Sequence, residues 1–151
     1  MSEHVAEIKW EKNAHADDAS TYSRNHVSHF DGKQKLNVSA SVEYKGDALC
    51  ADPEQLLVSA AASCHMLFFL AIAEQLGFLP ESYCDMPVGY LEKADGGGLE
   101  ITRIELYPKI VFSGEKRPDA DAINRMHSGA HKRCFIGNSI KATITVCDYS
   151  E

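Results

Sequence analysis

The stretch DPEQLLVSAAASCHMLFFLAIAEQLGF, residues 52–78, decides the architecture. Asp52 is a capping residue, Pro53 suits the first helical position, and Gln55 stands where a capping box closes. From there the pattern predicts a helix to about Gln75 or Leu76, with Gly77 as its C-terminal stop. The run is apolar almost all round, so it should be buried on most sides, and the small residues from Ser59 to Ser63 permit close approach by another element. A thiol and an imidazole, Cys64 and His65, sit side by side in its middle.

Outward from this helix the chain reads as strands and one further helix. On its N-terminal side HVAEIKWEK, STYSRNHVSHF and KLNVSASVEYK are strand-like, with Asp31-Gly32 as a hairpin turn. On its C-terminal side strands are predicted over roughly 85–94 and 99–112, joined at Asp95-Gly96-Gly97-Gly98. The apolar parity changes between Ile101 and Ile104, which predicts a bulge near Arg103, and Pro108 predicts an edge or an interruption. Pro118 opens an amphipathic helix with Ala122, Ile123, Met126 and Ala130 as its stripe, ending near Arg133. SIKATITVCDY is the last strand. The expected fold is α+β, a mostly antiparallel sheet around a long buried central helix, in a single domain spanning 1–151.

Composition bounds the function. Apolar residues make up 44 % and charged residues 25 %, ordinary for a soluble globular protein. The net charge of −7 argues against nucleic acid as a partner. No basic n-region and apolar h-region open the chain, and the apolar run from Leu56 to Ala73 is interrupted by polar residues and short for a bilayer, so no membrane partner and a cytoplasmic location are expected. The five cysteines, at 50, 64, 84, 134 and 147, are odd in number and form no C-x-x-C pair. A disulfide framework is not expected, and most are read as buried small hydrophobes.

Cys64 taken alone reads as one more buried thiol. Three other residues give it a chemical reading. Cys134, just past the second helix, is a second thiol able to trap an oxidised form of the first. Arg24, on a predicted strand, would favour a nearby thiolate. Glu54, at the helix start, would orient that guanidinium.

Here DPEQLLVSAAASCHM and AHKRCFIGNSI resemble the two motifs of the OsmC/Ohr family of thiol-dependent hydroperoxide reductases. In that family Pro-Glu-x-Leu-Leu precedes a reactive cysteine ten residues after the glutamate, and Ala-His-x-x-Cys follows later. Glu54 and Cys64 keep that separation, and Ala130-His131 precedes Cys134. Phe135 stands in place of the usual proline. The resemblance implies an OsmC-like fold in an interlocked homodimer. It also implies Cys64 as peroxidatic thiol, Cys134 as resolving thiol, and Arg24 with Glu54 as polar support. The expected activity is reduction of organic hydroperoxides to alcohols, using a small dithiol or lipoyl-type reductant and no cofactor or metal. An apolar surround from Leu67, Phe68 and Phe69 suits a fatty or aromatic hydroperoxide.

Ten residues of helix rise ~15 Å, so Glu54 and Cys64 of one straight helix cannot share a site. If both serve one centre, either the helix breaks between them, for which the run from Gln55 to Ser63 has no glycine or proline, or the glutamate comes from a partner chain across a two-fold axis near Ser59. Two alternatives stand beside the enzyme. One is a structural zinc site from His127, His131 and Cys134, with Cys64 and His65 close by; its plain counterpart leaves His127 in solvent and His131 on a backbone carbonyl. The other is a degenerate relative that only binds a hydrophobic ligand.

Overall fold

The computed structural model describes residues 1–147, and the last two residues of the expected C-terminal strand, Asp148 and Tyr149, lie outside them. The chain divides into two compact units, with the boundary between Leu56 and Leu57.

The N-terminal unit is an antiparallel meander of β1 (Ala6–Lys9), β2 (His26–Phe30) and β3 (Gln34–Val38). The β2–β3 hairpin turns at Asp31–Lys33, where Gly32 takes φ +76°. A polar clasp holds the loop after β3. The buried Ser39 hydroxyl donates to Asn25 Oδ1 at 2.8 Å, and the Asn25 amide donates to Asp47 at 2.8 Å. Arg24 precedes β2 rather than lying on it, because pairing with β3 begins only at His26.

Helix α1 (Pro53–Gln75) is unbroken over 23 residues. Its capping box is made: Asp52 Oδ1 accepts from the Gln55 amide at 2.7 Å, and Gln55 Oε1 accepts from the Asp52 amide at 3.1 Å. At the other end the amides of Gly77 and Phe78 donate to the carbonyls of Glu74 and Ala73, both at 2.9 Å, a Schellman motif that needs the φ of +74° found at Gly77.

The C-terminal unit packs two sheets and a helix on α1. One sheet pairs β4 (Leu79–Cys84) with β7 (Lys109–Ser113); the other has the order β5 (Val88–Lys93), β6 (Leu99–Leu106), β8 (Thr143–Val146). All pairs are antiparallel except β6–β8. The expected bulge is present: Tyr90 faces Arg103 and Leu91 faces Ile101, leaving Thr102 as the extra residue. Pro108 interrupts the expected 99–112 strand, which is two strands, β6 and β7, in different sheets. Helix α2 (Ala120–Arg133) is capped by Asp119, whose carboxylate accepts from the Ala122 amide at 2.7 Å.

Two clusters form the core. Val58, Ala61 and Ala62 of α1 meet Ile104, Leu106, Ala142 and Ile144; further along, Phe69 and Ala73 meet Phe112, Ala122, Met126 and Ala130. Gly89 lets α1 approach β5 closely, since a Cβ there would lie 2.3 Å from Val58. Burial of α1 is narrower than its composition predicts. Ser59, Ser63, Leu67 and Ala71, spaced by four, remain exposed along one face, because the elements packed on it within the chain cover only the other side. By length and composition α1 is also sufficient to cross a bilayer, so the apolar run is not too short once its flanks join the helix.

Candidate functional site

Cys64 lies in the middle of α1, half-buried, and opens on an apolar cavity of about 430 Å³. Ala60, Ser63, Leu67, Phe68, Ala71 and Phe135 complete its walls. The Phe68 and Phe135 rings meet edge to face at 5.0 Å.

Cys134 ends α2 and is 1 % exposed. Its amide closes the helix on the Ala130 carbonyl at 2.9 Å, which fixes the backbone behind the sulfur. The Sγ accepts from the Gly137 amide at 3.2 Å, in the 3₁₀ turn that follows, and lies 4.0 Å from the Ala61 carbonyl of α1. The Cys64 thiol is its close neighbour. Burial, and then that neighbour, push the Cys134 thiol up, so it stays protonated at neutral pH. Both cysteines are free thiols. The structure therefore joins the two sulfurs that the sequence places seventy residues apart.

Arg24 and Glu54 belong to the N-terminal unit. The Arg24 guanidinium donates to Thr21 Oγ1 at 3.2 Å and to the Tyr22 carbonyl, and lies over the Tyr22 ring at 4.3 Å. Glu54 is half-buried in the first turn of α1.

Next to Cys64, His65 turns into the core. Its Nε2 lies 3.0 Å from His127 Nδ1, and the two rings stack at 15°. Phe69 covers His127 at 4.4 Å between centroids. Burial brings both imidazoles down to about 4, with the neighbouring His127 and His131 adding to the effect on His65. His65 Nδ1 is buried without a hydrogen-bond partner.

This pair corrects the plain counterpart of the zinc alternative. His127 is 8 % exposed and bonded to His65 rather than facing solvent, while His131 is exposed. Among the described residues, no group of three or more His, Cys, Asp or Glu side chains is placed to hold a metal ion. The reading of most cysteines as buried is also corrected: Cys134 is buried, Cys50 and Cys147 are half-buried, and Cys84 is exposed.

A family model described as OsmC-like protein matches residues 45–147. The fold is similar to that of an OsmC-like protein of unknown function from Vibrio cholerae, with 38 % identity, 99 % of this chain and 100 % of that chain covered, and a TM-score of 0.92. Two more distant likenesses of fold are to organic hydroperoxide resistance proteins. The one from Legionella pneumophila has 16 % identity, coverage of 98 % and 96 %, and a TM-score of 0.67. The one from Elizabethkingia anophelis has 15 % identity, coverage of 99 % and 98 %, and a TM-score of 0.71. No curated protein matches the chain. With this family match, α1 is read as a core helix and not as a membrane span.

Proposed function

We propose, since this chain belongs to the OsmC-like protein family, that it is a thiol-dependent peroxidase reducing organic hydroperoxides to alcohols. The observation that carries the reading is the closeness of Cys134 to Cys64 at the wall of an apolar cavity. The hydroperoxide resistance named for the Legionella and Elizabethkingia neighbours supports it.

Cys64 is the sulfur that meets substrate, because the cavity opens on it while Cys134 is enclosed. The Cys64 thiolate attacks the distal oxygen of ROOH. The O–O bond breaks, RO⁻ takes a proton and leaves as ROH, and Cys64 becomes a sulfenic acid. Cys134, a protonated thiol already close by, condenses with it; a disulfide forms and water leaves. A small dithiol or lipoyl-type reductant then exchanges with that disulfide, is itself oxidised to a disulfide, and restores both thiols. The proposed setting is the cytoplasm, and five free cysteines support a reducing compartment.

After one equivalent of an organic hydroperoxide, peptide mapping is expected to find a Cys64–Cys134 disulfide. In Cys134→Ser the reaction stops at sulfenic or over-oxidised Cys64. Absence of the disulfide in wild type overturns the resolving role, and ligand binding without any thiol loss favours the degenerate, binding-only alternative.

Arg24 and Glu54 are proposed to support the thiolate across a homodimer. The exposed face of α1, with Ser59 and Ser63 on it, is where a second copy packs, bringing its Glu54 towards Cys64 of the first chain. Mixing inactive Cys64→Ser chains with inactive Glu54→Ala chains should restore one intact site per heterodimer. A monomer at micromolar concentration, or no recovery after demonstrated subunit exchange, rules the shared site out.

A further inference from the structure

We propose that Phe135 selects what reaches Cys64, and that it favours reactants carrying an aromatic ring next to the reacting atom. The inference rests on Cys64 as the attacking thiol. Phe135 is 71 % exposed, yet it is not a loose surface side chain. An edge-to-face contact with Phe68, at 5.0 Å and 88°, sets the ring at the cavity wall. Its backbone is held as well: the Ser139 hydroxyl donates to the Phe135 carbonyl at 2.7 Å, and the Asn138 amide donates to the Cys134 carbonyl at 3.0 Å. The turn that positions the Cys134 sulfur therefore also positions this ring.

Two rings at right angles leave a corner in which a third ring meets a face of one and an edge of the other. That is the geometry aromatic pairs prefer, beyond simple area burial. A linear alkyl chain gains area alone in the same corner. Hydrogen peroxide gains least, because the lining is almost wholly apolar and replaces few of the hydrogen bonds it leaves in water. Within one chain the cavity of about 430 Å³ is near the small end for organic ligands and large enough for one substituted ring.

The test reads Cys64 by peptide mapping with two pairs of reagents. Benzyl halide against iodoacetamide probes the wall without any peroxide, and cumene hydroperoxide against tert-butyl hydroperoxide probes it in the reaction. Wild type should prefer the aromatic member of each pair, relative to free glutathione. In Phe135→Ala that preference should fall about two- to tenfold, the worth of one aromatic pair. Phe135→Tyr should retain it. An alkylation preference in Phe135→Ala equal to wild type overturns the inference. A shifted alkylation preference with no peroxide reaction at Cys64 keeps the aromatic selectivity and overturns the peroxidase reading instead.

Discussion

Cys64→Ser should consume no organic hydroperoxide above the uncatalysed background, the largest loss expected from any single substitution in this chain. A serine hydroxyl is not ionised at neutral pH and lacks the soft, polarisable sulfur that attacks a peroxide oxygen. No other thiol substitutes for it. Cys134 is 1 % exposed and its pKa is pushed up, so it neither meets the substrate nor ionises readily. Cys84 is exposed and provides the control: Cys84→Ser should turn over as wild type does. Peroxide consumption measured against a dithiol reductant decides the matter. Retained turnover in Cys64→Ser, or loss in Cys84→Ser alone, would remove Cys64 from its role.

The second large effect is on stability rather than activity. His65 and His127 are held neutral in the folded chain, with pKa values of about 4 against an ordinary imidazole value near 6.5. Below pH ~6.5 the unfolded chain takes up protons that the folded pair refuses, so the unfolded state binds more protons and stability falls as pH falls. The loss runs from pH ~6.5 to about 4, where the folded pair protonates too. Counting one proton, it amounts to on the order of 3 kcal/mol, or ~10 °C in melting temperature for a chain of this size. Urea unfolding midpoints at pH 7 and pH 4.5 measure it. In the double variant His65→Leu, His127→Phe, the drop between those two pH values should shrink. An unchanged drop assigns the acid sensitivity to carboxylates instead.

The parts of the fold legible in the sequence are those whose determinants lie within a few residues of one another. Asp52, Pro53 and Gln55 announce the start of α1, and Gly77 its end, because each acts on backbone groups three to five residues away. The parity change around Arg103 marks the bulge, since side-chain direction alternates strictly along a strand. β4 escaped because Leu79–Cys84 carries Pro80 and polar residues and is exposed over much of its length, leaving no clean alternation. The 99–112 segment read as one strand because period-two patterning continues through Pro108 even though the partner sheet changes. At the site, the two cysteines were found by their resemblance to known motifs. The His65–His127 pair was not, because its members are 62 positions apart and only the packing of α2 on α1 brings them together. A histidine on an otherwise apolar helix was the one available signal.

The parallel β6–β8 pair has a consequence for synthesis. It joins Arg103 to Thr143, forty positions apart, and closes the cluster in which Ala142 and Ile144 meet Ala61 and Ala62. Such a contact carries a high loop-closure cost and forms late, after its last residues have left the ribosome. Cys134 precedes that strand by only nine residues, and the Gly137–Ser139 turn that seats its sulfur lies between them. The nascent chain thus displays Cys64 on a nearly complete helix well before its redox mate is in place. During that interval the thiol depends on the reducing power of its surroundings rather than on its own architecture.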